Sequence, residues 1–149
     1  MANIRQATME DLEVWSEFRT KLWPNTDDNH VSEIKAYFDG TSTDIKQAFI
    51  LDNEYGRSVG FLELNIREFA EGSRHPRVPY VEAWYIDDAF QGQGYGKLLM
   101  NVAEKWAKEQ GFSEIASDTE VTNIKSIAIH KQLGFRETER VVCFLKEIE

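Results

Sequence analysis

Residues 91–97 read QGQGYGK, three glycines alternating with larger residues, and an amphipathic run begins directly behind them. Glycine weakens a helix start unless the backbone must adopt positive φ or admit a close neighbour. Upstream, YVEAWYI (80–86) is strand-like. Downstream, Tyr95, Leu98, Leu99, Val102, Ala103 and Trp106 fall on one helical face, which Gly111 closes. The chain must therefore build a strand–loop–helix unit with bare N–H groups at the helix start, a ready anion site. Two phosphate loops can be excluded. Gly96-Lys97 supplies the end of a P-loop, but Gln91 replaces its first glycine and Leu98 its metal-binding hydroxyl. The dinucleotide fingerprint fails because its third glycine comes one residue early.

Around that unit the pattern is mixed. NIRQAT (3–8) reads as a strand. A helix over 9–23 has Thr8 as its N-cap and ends at Pro24, and a second over 29–38 is closed by Gly40. Residues 46–53 and 58–69 read as strands joined by the turn EYGR, and 70–79 as a polar loop. Strands are expected over 112–118 and 140–148, with a helix over 123–133 between them. With 149 residues and no repeat or linker, residues 1–149 form one domain.

Net charge −9 argues against nucleic acid as partner and suits a cationic ligand, with five of those nine charges falling in residues 1–44. No apolar stretch is of membrane-spanning length and no signal peptide is evident, so no membrane partner is expected. The lone Cys143 forms no internal disulfide and points to a reducing, cytoplasmic setting, its predicted strand making it a packing residue. His30, His75 and His130 lack metal-ligand spacing, so no metal is expected.

The segment Gln91-Gly92-Gln93-Gly94-Tyr95-Gly96 fits Gln/Arg-x-x-Gly-x-Gly/Ala, and NIKSIAIHKQLGF supplies Asn123, Ser126, His130, Gly134 and Phe135 at matching spacing. On these two blocks the chain resembles the GCN5-related N-acetyltransferases (GNAT). The resemblance implies an α/β (α+β) fold, with a mixed but mostly antiparallel twisted sheet, helices on both faces, and central strands splayed for acetyl-coenzyme A. It implies that acetyl-CoA is held by Tyr85, Ile86, Gln91, Gly92, Gln93, Gly94, Tyr95, Gly96, Lys97, Asn123 and Ser126, with the loop amides on the pyrophosphate. The Ile86 N–H would polarise the thioester carbonyl. His130 stands where many members carry a tyrosine that protonates the departing thiolate; it can equally be a packing residue.

IREFAEG (66–72), YVEAWYI, SEIASDTEVTN and GFRETERVVCFLKEI further resemble the aminoglycoside 6'-N-acetyltransferases of that family. This implies a cleft walled by Trp23 and Phe69, with Glu82, Asp118 and Glu139 binding substrate amines, and a homodimer. Phe69 replaces a usual tyrosine and Ala83 a usual glycine. The chemistry asks for such acids: a primary amine with a pKa of about 10.4 arrives as ammonium and must lose a proton before attack. Glu82 and Asp118 would bind it and accept or relay that proton. The expected activity is antibiotic-inactivating acetyl transfer to the 6'-amine, by direct attack. Another amine substrate (a polyamine, amino sugar or protein N-terminus) or a non-catalytic CoA-binding module are the alternatives.

Overall fold

The computed structural model describes residues 1–26 and 29–149. A five-stranded sheet in the order β1-β2-β3-β4-β5 carries the fold. Its strands are β1 (Asn3–Gln6), β2 (Gln47–Asp52), β3 (Ser58–Arg67), β4 (Val78–Ile86) and β5 (Ala116–Ser117), and its helices are α1 (Leu12–Leu22), α2 (His30–Asp39), α3 (Tyr95–Glu109) and α4 (Ile124–Gln132). The first four strands are antiparallel neighbours and β5 joins β4 in parallel.

Strand alternation sorts the core onto two faces. Ala48, Ile50, Phe61, Ala83 and Tyr85 pack under Trp15 and Phe18 of α1 and Ile34 of α2. Leu51, Val59, Leu62, Leu64 and Val81 pack under Leu99, Met100 and Ala103 of α3. The expected helices on both faces are thus present. Thr8 caps a 3-10 turn (Met9–Asp11) that feeds α1, its N–H donating to Asp11 Oδ2 at 2.7 Å. Asn29 caps α2 by accepting from the Ser32 N–H at 3.0 Å.

Three expectations need correction. The loop read over 70–79 is shorter, because Val78 and Pro79 already belong to β4, Pro79 opposite Ile66. Proline is tolerated there because β5 begins pairing only at Tyr80, so no neighbour on that side needs its missing N–H. The strand expected over 112–118 shrinks to Ala116–Ser117, the only two residues that reach β4. The final strand over 140–148 is absent, for residues 135–149 form neither helix nor strand. Cys143, expected to pack there, is exposed.

Two irregularities position the site. β4 and β5 are joined only through Tyr80–Ala116 and Val81–Ser117, so Glu82 to Ile86 face an opening where the sheet splays. In the β3–β4 ladder Glu63 faces Ala83 and Leu64 faces Val81, which leaves Glu82 as the extra residue of a bulge. A bulge re-aims its side chain relative to the alternating pattern.

Candidate active site

The glycine loop is shaped as its sequence requires. Gly92 and Gly94 adopt φ 81° and 85°, which β-carbon-bearing residues rarely occupy, and a Cβ on either would project into open space. That space lies at the N-terminus of α3, whose first turn holds no acidic residue. The first N–H groups of a helix have no intrahelical partner, and the helix dipole is positive there. Gly96 has another role: a Cβ would lie 3.3 Å from the Trp84 ring, and its carbonyl accepts from Trp84 Nε1 at 3.0 Å. Loop and strand are thereby locked together.

Gln91 turns inward. Its Nε2 donates to the Ile86 carbonyl at 2.9 Å and its Oε1 accepts from Lys125 Nζ at 2.7 Å. The side chain braces the loop, and Lys125 of α4 brings a cation beside it that sequence reading did not single out. Gln93 and Lys97 are exposed, with Tyr95 half-buried against the core. The Tyr85 ring points away, tilted against Phe18 and Phe61 in the α1 layer, and its hydroxyl donates to Asp87 at 3.0 Å. Only its main chain faces the opening. The cradle offers backbone N–H groups at a helix start, the arrangement that suits phosphate.

His130 of α4 stands at that splay. Its Nδ1 lies 2.8 Å from the Ser126 carbonyl, which can only accept, so the neutral ring carries its proton there. Its Nε2 then accepts from the Ser117 hydroxyl at 2.8 Å. Trp84 and Phe135 meet the ring edge-on at 5.1 and 5.2 Å. Asn123 caps α4 through the Ser126 N–H, leaving its amide nitrogen outward.

A cleft of about 660 Å³ opens over the α1 side of β3 and β4, lined by Arg19, Trp23, Thr26, Asp44, Glu63, Asn65, Arg67 and Glu82. Trp23 and Glu82 are thus brought together. Phe69, Asp118 and Glu139 are exposed and do not line it. Asp118 is nonetheless coupled to it. Arg67 holds Glu82 through Nη2 at 2.5 Å and Nε at 2.8 Å, and its guanidinium stands 3.6 Å above the Tyr80 ring. The Tyr80 hydroxyl donates to Asp118 Oδ2 at 2.7 Å. The bond to Glu82 pushes the Arg67 guanidinium further above its usual range, while burial and the bond to Asp118 push the Tyr80 hydroxyl up, so both stay protonated. The expected pair of bare carboxylates is thus tied through an arginine and a tyrosine.

Glu63 lies beneath the cleft, 1 % exposed, accepting from Trp15 Nε1 at 2.8 Å with Arg19 Nε at 3.0 Å. Arg19 also bonds Glu33 at 2.8 Å, and its guanidinium lies 5.0 Å from the Trp23 ring centre. A glutamate in an alternating strand gave no sign of this role; only the packing of α1 over β3 buries it. Burial pushes its carboxyl up from 4.5 to about 7, against the opposing pull of Arg19. The folded chain therefore keeps a proton that the unfolded chain releases, and stability falls as pH rises from 4.5 to about 7. At about 1.4 kcal/mol per pH unit the loss is on the order of 3 kcal/mol. Glu63→Gln, which can still accept from Trp15, should remove that slope; parallel melting curves against pH for the two proteins would contradict it.

Across the described residues no group of three His, Cys, Asp or Glu side chains is placed to hold a metal, and no helix is long and apolar enough to cross a membrane. A backbone anion cradle at a helix start, a parallel pair that splays beside it and an adjoining cleft define a fold built to present a phosphorylated carrier to a second ligand. Residues 9–135 match the Acetyltransferase (GNAT) family, and the chain belongs to it. It is 34% identical over 147 residues to an aminoglycoside N(6')-acetyltransferase type 1 of Stenotrophomonas maltophilia, covering 98% of this chain and 94% of that one. It is 36% identical over 146 residues to one of Klebsiella aerogenes, covering 97% and 96%. Among solved structures it resembles AAC(6')-Iy in complex with the bisubstrate analog CoA-S-monomethyl-acetylneamine, with TM-score 0.88, 31% identity and 99% of each chain covered.

Proposed function

We propose that the protein transfers the acetyl group of acetyl-CoA to the 6'-amine of aminoglycosides and so inactivates these antibiotics. The observation that carries this reading is the glycine cradle opening onto the β4–β5 splay, beside a cleft that holds Trp23 and Glu82. When bound, acetyl-CoA supplies the thioester whose carbonyl carbon is attacked. Main-chain amides of Gln91 to Lys97 and the dipole of α3 would hold its pyrophosphate. The Ile86 N–H, at the end of β4, would receive the oxyanion.

The amine nitrogen forms its bond to that carbon, the carbon–sulfur bond breaks, one proton leaves the amine and one returns to the thiolate. Glu82 and Asp118 orient the ammonium and take its proton, directly or through water. Phe69 and Glu139, outside the cleft lining, would meet only the outer part of a ligand that extends beyond it. His130 returns the proton from Nε2 in its doubly protonated form, because its Nδ1–H is committed to Ser126 and Nε2 accepts from Ser117 while the ring is neutral. Thiol release from acetyl-CoA across a panel of amines tests the reading. Turnover is expected with 6'-amino but not 6'-hydroxy aminoglycosides. Turnover with polyamines alone, or CoA binding without turnover, would overturn it. Asp118→Asn should cut kcat/KM for aminoglycosides at least tenfold, a loss on the order of 1.4 kcal/mol, and unchanged kinetics would remove Asp118 from the site.

We further infer that the protein acts as a homodimer in the cytoplasm. Support comes from Val141, Val142, Phe144, Leu145 and Ile148, all 62 to 98% exposed in the single chain. Apolar exposure of that extent marks an interaction surface. β5 ends the sheet with a free edge, and a second copy can offer its segment to that edge.

A further inference from the structure

Glu82 has its charge already cancelled inside the chain by Arg67, and Glu63 lies 1 % exposed beneath the cleft beside Arg19. Asp44 is the one other acid among the described lining residues. A polycation would therefore find little net charge, although the chain as a whole is acidic. The two arginines differ in how they are held. The Arg19 side chain is 7% exposed and fixed between Glu63, Glu33 and the Trp23 face. The Arg67 side chain is 39% exposed, bonded only to Glu82, and otherwise rests on the Tyr80 ring.

We propose that Arg67 is a resident counter-ion of the acceptor cleft, displaced from Glu82 by the incoming substrate ammonium, and that it thereby sets the selectivity for polycationic over small amines. This rests on the functional reading above and deepens it. Lone-pair accounting favours exchange over addition. Arg67 occupies one site on each Glu82 oxygen and Asn65 Nδ2, at 3.0 Å, a second on Oε2, so one accepting site remains for an ammonium with three donors. Exchange of one cation for another keeps the carboxylate paired at every stage. The guanidinium can slide outward along the Tyr80 face, where Asp118 beyond the hydroxyl keeps it from being left without an opposing charge.

The selectivity follows from this exchange. A small amine gains little, because its bond to Glu82 is offset by the bond Arg67 gives up. A ligand with several amines recovers the difference at other cleft acceptors, Asp44 and Asn65 among them. Arg67 is therefore a specificity-determining residue, and its removal should favour small amines most.

Calorimetric titration of the full-length protein with putrescine and with kanamycin, on wild type and Arg67→Gln, tests the proposal without depending on turnover. Arg67→Gln should bind putrescine about fivefold more tightly and kanamycin by a smaller factor, with KM for kanamycin falling in parallel. Arg67→Lys, which keeps the charge but loses the two-point bond, should move in the same direction by less. If both variants bind putrescine more weakly or unchanged, Arg67 is a fixed clamp on Glu82 and the proposal fails. Failure of the wild type to acetylate any aminoglycoside would instead overturn the functional reading, with the putrescine comparison still deciding the role of Arg67.

Discussion

Gly94→Val abolishes high-affinity binding of acetyl-CoA, with the dissociation constant rising at least about 100-fold. Two effects combine. At φ 85° valine suffers backbone strain on the order of 1–3 kcal/mol, and its Cβ enters the space before the α3 N–H groups. That space is empty of protein, so nothing in the core is displaced and the strain is confined to an exposed loop. The far-ultraviolet circular dichroism should be retained and the melting temperature lowered by only a few degrees. Gly94→Ala separates the two effects, since it carries the backbone strain with a smaller intrusion and should lose less affinity. Wild-type CoA affinity in Gly94→Val, measured by calorimetry, would remove the loop from the cofactor site.

Phe144→Glu combined with Leu145→Glu converts the proposed dimer to a monomer. These side chains are 91 and 98% exposed in the single chain, so the substitutions cost little within a protomer. Burying a phenylalanine or leucine completely contributes roughly 1.5–3 kcal/mol, so the pair represents on the order of 3–6 kcal/mol per protomer in an interface. The dimer dissociation constant should rise at least about 100-fold, which sedimentation or light scattering at micromolar concentration would register. A wild-type protein that is monomeric at high concentration would sink the homodimer.

The motifs that carry chemistry were legible because they are local. Gly92 and Gly94 are demanded by backbone conformation within a few residues, and the loop takes the same form whatever packs behind it. The stripe on α3 likewise marked the face that packs on the sheet, and the family resemblance implied helices on both faces. Element ends were less legible. β5 extends only over the two residues that pair with β4, a property of the sheet and not of the segment. The apolar pattern over 140–148 has strand character, yet in the single chain it pairs with none of the five strands.

The cleft shows the same division more sharply. Glu82 was found as an acid of the strand-like segment 80–86, but its neighbours were not. Arg67 and Asn65 lie on β3, and nothing in their spacing from residue 82 shows that a bulge turns Glu82 toward them. Glu63 is buried against Trp15 and Arg19 from another helix, a contact between residues 48 and 44 positions apart. The amino-acid order alone therefore determined the layered fold and the anion-binding loop, since backbone torsion and side-chain periodicity act over a few residues. Whether each acid stands bare, paired or protonated was decided only by tertiary structure, because charge pairing and burial depend on distance in space.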